Sequence, residues 1–534
     1  MGDRSRPGAG LDEGSADPLS EERAGSAPDL LQVVAPRNGA LLGEVPVDGP
    51  EQVAAAVERV RQVQRGWASL DPADRARRLR ALVREIALRR EEIADRIVAE
   101  TGKPQAEALA EVAVVAALGR HYVKRAPRVL GRRRAPTSWL LWKRAWTERE
   151  PYGVVGVISP WNYPFVLAAE PVITALFGGN GVVLKPSEHT PFTGALLEEL
   201  VAGAGLPVDL VRVVQGRGAT GRALIHSGID KLHFTGSPVT GRKVLAEAAP
   251  LLLPVSLELG GKDPALVLED ADQERAARGI LFGAFFNAGQ TCLATERVYV
   301  VDAIYEEFLR KLVRLTEGLR TGSGGEVDLG PMTTPEQLQV VEEHLRDAVA
   351  RGARVLTGGE RLDPASNLLH PTILADVPGD ALVLRDETFG PLLPVVRVRD
   401  EAEGVARAND HPMGLFASVW TGDRKRGEAV ARRLRAGGVS VNDTLSHFGV
   451  PSLPMGGVGE SGFSRVRGDE GLREFTRARS YLSDRLGLKR EPWWFPYRRG
   501  QRRLMRALVA WEGLTGIARL GGVFKELFRR EEEP

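Results

Sequence analysis

A chain of 534 residues, 43% hydrophobic and 27% charged, has the composition of a globular protein with room for about three domains. Its 72 lysines and arginines against 70 acids leave a net charge of +2, which gives no electrostatic reason to expect a nucleic-acid partner. A single cysteine excludes an internal disulfide and fits a reducing, cytoplasmic setting, and the eight scattered histidines lack the spacing of a zinc site, so no metal is expected.

Residues 1–29, rich in Gly, Ser, Pro and charge, are expected to form a disordered leader without the apolar stretch of a secretory signal. No uncharged apolar run reaches the roughly 18 residues of a membrane span, so no transmembrane helix is expected. From Pro50 to Leu118, apolar residues at helical spacing (Val53, Val57, Val60, then Leu79, Leu82, Val83, Ile86, Leu88) predict helices covering a sheet. Residues 128–148 read as an excursion in which Trp139, Leu141 and Trp146 line one face of a strand or hairpin.

Short apolar strands then alternate with helices: GVVGVIS, a helix near Phe165 to Leu176, GVVLK, a helix near Phe192 to Ala204, VRVVQ, a helix near Ala219 to His226, KLHFT, a helix near Val239 to Ala248, and VSLEL. This alternation predicts a doubly wound α/β domain whose ligands lie beyond the carboxyl ends of the strands. A second α/β block follows, with strands near ALVLE, RVYVV, PVVRV and GVSVN and helices near Glu274 to Phe286, Ile304 to Leu319 and Pro335 to Ala350. A short strand at Ser480 to Asp484 closes that block. Residues 490–534 join an aromatic cluster to a basic amphipathic helix carrying Leu504, Leu508, Trp511, Leu514, Ile517, Leu520, Phe524 and Leu527. Two partners stay open for it, the protein's own oligomer and a membrane surface.

Two segments carry candidate chemistry. FNAGQTC places Cys292 in a loop after a helix, behind Gly289, which permits backbone turns that other residues resist. Alone, such a cysteine is more often an inert core residue than a nucleophile. LELGGKDP puts Glu258 at the end of a buried strand, where desolvation raises a carboxyl toward the working range of a general base. A surface glutamate at a strand end is the bland alternative. Together, in this order and spacing, the two segments resemble the aldehyde dehydrogenase superfamily, in its NAD(P)-dependent, non-CoA-acylating branch.

That resemblance runs from about Leu31 to Leu486 and gives further motifs their meaning. It implies Cys292 as nucleophile, Glu258 as general base, and Asn162 of PWNYPF, with the backbone N–H of Cys292, as holder of the oxyanion. It implies a cofactor site along the ends of the first block's strands, at Ile158, Ser159, Pro160 and Trp161, at Lys185, Ser187 and Glu188 of GVVLKPSE, and at Phe234, Gly236, Ser237 and Gly241 of HFTGSPVTG. Gly218, Leu259, Glu387 and Phe389 of DETFGP complete it. Glu188, as a ribose acceptor, repels a 2′-phosphate and tilts the choice to NAD while leaving NADP open. GRGATG, residues 216–221, formally matches G-x-G-x-x-G, but a lone match is weak and the pyrophosphate is assigned to FTGS.

The family also implies an aldehyde channel at Tyr163, Leu167, Phe286, Thr291, Leu293 and Phe448. These are mostly apolar and lack the arginine with which succinate-semialdehyde-type relatives pair a carboxylate, while Glu170 would repel one. The expected reaction is therefore oxidation of an aliphatic or aromatic aldehyde to the acid through a Cys thioester. A semialdehyde dehydrogenase, or a catalytically silent protein on the same scaffold, are the rivals. Residues 30–127 and 149–257 are expected to form the cofactor domain and 258–444 the catalytic domain. Residues 128–148 and 445–489 should supply a small β element for a homodimer or homotetramer. Pro171, Met413 and Met455 depart from the usual family residues.

Overall fold

The computed structural model describes residues 29–324, 326–497 and 500–528. The leader expected over residues 1–29 lies, except for Asp29, outside them. The first described element is a hairpin, Leu30–Val34 with Leu41–Pro46, that the sequence reading does not contain.

The first α/β block is a five-stranded parallel sheet in the order Val211–Val213, Gly181–Lys185, Val154–Ile158, Lys231–Thr235, Val255–Glu258. Its inner strands are runs of Val, Leu and Gly buried on both faces, as a sheet sandwiched between helices requires. The helix Val166–Gly178 is buried on every side, consistent with its apolar circumference, and ends at Gly179 in the left-handed conformation, φ +91°. Asn180 follows, wholly buried. Its Oδ1 accepts from the backbone of Tyr152 and Gly153, and its Nδ2 donates to the carbonyls of Ala175 and Phe475, tying sheet, helix and C-terminal segment together.

The second block is a seven-stranded sheet in the order Arg354–Thr357, Thr372–Ala375, Leu392–Val398, Thr295–Val301, Asp263–Val267, Phe416–Trp420, Gly438–Val441, parallel except for its first pair. Three of these strands, Arg354–Thr357, Thr372–Ala375 and Phe416–Trp420, are absent from the sequence reading. Apolar runs this short do not distinguish strand from helix by period.

A third, antiparallel sheet joins Thr476–Asp484, Lys143–Pro151 and Arg133–Ala135, and it corrects two expectations. The strand containing Ser480 to Asp484 belongs here and does not close the second block. Trp139 and Leu141 sit between the strands, so only Trp146 lies on one, stacked on its cross-strand partner Tyr481 at 5.1 Å. The strand Lys143–Pro151 also runs through the boundary expected at 148/149, and part of the segment before Thr476 is bonded to the last strand of the first sheet. Ser464 Oγ accepts from Leu257 N, and Leu259 N donates to Ser461 O.

The tail is a hairpin of two helices, Gln501–Gly513 and Gly516–Phe528, where the sequence pattern suggested one. Gly516, at φ +57°, turns the chain, and a Cβ on Gly522 would lie 2.5 Å from Leu514, so glycine lets the helices approach closely. No helix among the described residues is long and apolar enough to cross a membrane.

Candidate active site at the meeting of two cavities

The loop bearing Cys292 is held in an unusual backbone. After the helix Gln273–Phe285, three successive residues, Asn287, Ala288 and Gly289, take positive φ of 57°, 52° and 74°. The first two are costly for residues with a Cβ, so the surroundings must impose them. Asn287 N donates to Glu107, and its side-chain amide donates to the carbonyls of Asn162 and Gln290. Gln290 in turn donates to Asn287 O and accepts from Thr333 N. At Gly289 a Cβ would stand 2.3 Å from the Gly390 carbonyl, so glycine is needed for space as well as φ.

Asn162 lies beyond the strand Val154–Ile158 in a loop clamped by a buried ion pair. Lys103 Nζ donates to Glu111 at 2.7 Å and to Asn162 O at 2.8 Å, while the other Glu111 oxygen accepts from Phe165 N and Val166 N. The Asn162 amide spends one N–H on Gln290 O at 2.9 Å and retains a second donor. Sequence reading missed this Lys103–Glu111 clamp.

Glu258 ends the strand Val255–Glu258, buried, with neither carboxyl oxygen hydrogen-bonded among the described residues. Desolvation holds its carboxyl well above the ordinary range, and Arg465 offsets this only in part. The Cys292 thiol is likewise pushed up, first by burial and then by the charges of Glu387, Asp263 and Glu258. The sequence did not reveal this shift.

Cys292 lies where two cavities meet. One, of about 250 Å³, is lined by all six expected channel residues, Tyr163, Leu167, Phe286, Thr291, Leu293 and Phe448. It also takes in Ala110, Val114 and Phe282, which sequence reading missed, and the carboxyls of Glu107 and Glu111. The other, a cleft of about 380 Å³, is walled by Pro160, Trp161, Asn162, Gly236, Ser237, Glu258, Leu259, Glu387 and Phe389.

The cleft fits a dinucleotide. Ser237 caps the helix Pro238–Ala248, its Oγ accepting from Thr240 N, and so turns a helix N-terminus toward the cleft. The residue before it is kept small, because a Cβ on Gly236 would meet the Phe234 ring at 2.6 Å. Gly241 is required for packing, 2.7 Å from Leu259 by the same measure. Ile158, Ser159, Lys185, Ser187, Glu188 and Phe234 stand at or just past the neighbouring strand ends rather than on the cleft wall. There Lys185 Nζ donates to Pro186 O and pairs with Glu188 at 3.4 Å. Burial alone would raise the Glu188 carboxyl, but Lys185, its own backbone N–H and His189 together hold it below the ordinary range. Gly218 opens the helix Gly218–His226 with open space beside it, and a Cβ on Gly216 would stand 2.0 Å from the Thr220 hydroxyl.

Glu387 Oε1 accepts from Gly261 N, and burial followed by the Glu296 charge pushes its carboxyl up to about 8. Phe389, at φ +52°, meets Trp161 edge to face at 5.7 Å. A second buried pair, Lys262–Glu296, supports this corner: Glu296 accepts from Thr388 N and Phe389 N, each at 2.9 Å. Lys262 was visible in LELGGKDP, but its partner lies on the next strand and has no local signal.

Comparison with known proteins agrees with this geometry. The sequence model of the aldehyde dehydrogenase family matches residues 23–481. A 4,4′-diapolycopene aldehyde oxidase of Methylomonas sp is 43% identical over 470 residues, 88% of either chain. A succinate-semialdehyde dehydrogenase (NADP+) of Escherichia coli is 36% identical over 451 residues, 84% of this chain and 93% of that one. Among solved structures, the Mycobacterium tuberculosis aldehyde dehydrogenase complexed with NAD+ superposes with a TM-score of 0.81 at 33% identity, covering 85% of this chain and 95% of that chain. An NAD-dependent aldehyde dehydrogenase from Sinorhizobium meliloti gives 0.84 at 33% identity, covering 87% and 93%. The chain belongs to the aldehyde dehydrogenase family and is an NAD(P)-dependent oxidoreductase.

Proposed function

We propose that the protein oxidises an apolar aliphatic or aromatic aldehyde to its carboxylic acid, with Cys292 as nucleophile, Glu258 as general base and Asn162 as oxyanion donor. The observation that carries this reading is the apolar cavity that ends on Cys292 and opens there onto the cleft containing Glu258 and Asn162. Glu258, with both oxygens unpartnered, is free to take the thiol proton. The thiolate adds to the carbonyl carbon, and the oxyanion rests on the remaining N–H of the Asn162 amide and on the backbone N–H of Cys292. NAD(P), held by Trp161, Gly236, Ser237, Glu387 and Phe389 with Lys185 and Glu188 at the ribose, supplies hydride acceptance when bound. The acyl group is left on Cys292 as a thioester. After giving up the thiol's proton to solvent, Glu258 draws a proton from the attacking water and returns it to the departing Cys292 sulfur, releasing the acid and the free thiol. Glu188 favours NAD, with NADP also accepted.

The charge of the cavity supports an apolar substrate. Beside its wall, Lys103 is already paired with Glu111 at 2.7 Å and Arg467 is engaged by Glu170 at 2.7 Å, so neither cation is open to an ω-carboxylate. The name of the Methylomonas relative points the same way, whereas the succinate-semialdehyde names point to an acid-bearing substrate. We read the cofactor domain as 30–127 with 149–257, the catalytic domain as 258–444, and the small antiparallel sheet as the seam of a cytoplasmic homo-oligomer in peripheral contact with membrane. NADH formation with a panel of aldehydes tests the reaction. Hexanal and benzaldehyde should exceed succinate semialdehyde in kcat/KM, added CoA should not accelerate turnover, and the reverse order would overturn the substrate class.

A further inference from the structure

We propose that the C-terminal helical hairpin and the aromatic residues at its root form a surface that lies flat in the headgroup layer of an anionic lipid bilayer. The hairpin exposes what a helix usually hides. The helix Gly516–Phe528 buries no residue, and Gln501–Gly513 buries only Ala507. Ile517, Leu520, Phe524 and Phe528 follow one another at helical spacing and are between 65% and 89% exposed, a single stripe that pairing of the two helices leaves open.

The surroundings point to lipid rather than to another apolar surface. Within residues 501–528 the basic side chains are Arg502, Arg503, Arg506, Arg519 and Lys525, against Glu512 and Glu526, so the hairpin is cationic. Glu512 is further engaged by Ser138. Beside its root, Trp139, Trp142 and Trp493 pack together, and Leu141, Trp494, Phe495 and Tyr497 stand out from the same place, each at least half exposed. Apolar stripe, basic flanks and a collar of exposed aromatics are the features of a helix resting at a membrane interface. Each helix has 13 residues, about 20 Å of rise, too short for a hydrocarbon core of about 30 Å.

The surface is rigidly joined to the enzyme. Buried Glu491 pairs with Lys143 and accepts from Trp142 Nε1, fixing the start of the tail to the strand Lys143–Pro151. Docking would therefore orient the whole body and bring the active site to aldehydes dissolved in the bilayer. That last consequence rests on the apolar-aldehyde reading, while the docking itself does not.

Flotation of the full-length protein with phosphatidylcholine vesicles, with and without phosphatidylglycerol, tests the proposal. The wild type should float with the anionic vesicles and bind them about tenfold or more tightly than neutral ones. The variant Ile517→Asp/Leu520→Asp/Phe524→Asp, changed only at exposed positions, should lose flotation while oxidising water-soluble hexanal at the wild-type rate. Wild-type protein left unfloated, or a triple variant that floats equally well, overturns the proposal. Sedimentation of both distinguishes the competing occupant: no flotation together with a smaller assembly in the variant would mean that a second copy of the chain covers the stripe. An apolar-aldehyde reading that fails shows itself in the substrate panel, not in flotation.

Discussion

Replacing Arg467 by Met would remove a cation from beneath the substrate cavity without removing its bulk. Arg467 is 2% exposed, sits at φ +62°, and donates from Nε and Nη2 to the two oxygens of buried Glu170 at 2.7 and 3.0 Å. It also donates to the Phe448 carbonyl, and its guanidinium lies 3.7 Å from the centre of the Phe448 ring on the cavity wall. Arg467→Met leaves the Glu170 charge buried and uncompensated, a loss of about 3–5 kcal/mol by analogy with broken buried pairs. For about 500 ordered residues the unfolding entropy is about 1 kcal/mol per degree, so Tm should fall by about 3–5 °C. The double variant Glu170→Gln/Arg467→Met should recover part of this, because the two single losses share one interaction.

Two functional effects should accompany the loss. Phe448 loses its support, which raises KM for hexanal more than it lowers kcat. The Glu170 charge already raises the Glu258 carboxyl. Unneutralised, it should shift the pH profile of kcat further upward, an effect that a merely structural role would not produce. Thermal unfolding of the four proteins of the cycle and their pH profiles supply the measurements. Strictly additive losses in Tm with an unmoved pH profile would refute the reasoning.

Three further outcomes follow from the site. Because burial raises the Glu258 carboxyl and its base form is the ionised one, hydrolytic turnover should rise with pH through a midpoint above the ordinary carboxylate range. Glu258→Gln should abolish that rise and leave only a single NADH burst in stopped flow, slowed because Glu258 also takes the thiol proton, whereas Cys292→Ala should give no burst. Asn162→Ala should lower kcat by about a hundredfold to a thousandfold with little change in the Kd for NAD, measured by fluorescence titration. Glu188→Gln should narrow the preference for NAD over NADP, read as the ratio of the two kcat/KM values, since it removes the charge that opposes a 2′-phosphate.

The parts of the site legible in the sequence are those carried by contiguous residues at strand ends. Cys292, Glu258, Asn162 and FTGS each come with neighbours that define their backbone, and the alternation of strands and helices placed the last three at one edge of a sheet, with Cys292 in the loop after a helix. The buried pairs Lys103–Glu111, Lys262–Glu296 and Glu170–Arg467 were not legible as pairs, because each joins residues brought together only by the folded chain, and a lysine or glutamate in isolation reads as surface. Phe416–Trp420 escaped because five buried residues, four of them apolar, carry no period, and the tail's single helix became two because Gly516 outweighed the continuity of the stripe. The raised thiol of Cys292 comes first from burial and then from Glu387, Asp263 and Glu258, which stand on separate segments of the chain.

The left-handed run Asn287–Ala288–Gly289 has a bearing on how this protein could diversify. Asn287 is fixed by Glu107 and, through Gln290, by Thr333, and Gly289 by the close approach of Gly390, so a change in that run disturbs several contacts at once. The walls of the apolar cavity instead come from three independent places: Val114 on the long helix Gln105–Leu130, Phe282 on the helix Gln273–Phe285, and Phe448 in the turn Leu445–Gly449. Exchange of those side chains leaves the nucleophile's setting untouched. New aldehydes can thus be taken up by stepwise drift of the walls, on a reactive loop that is nearly frozen against substitution.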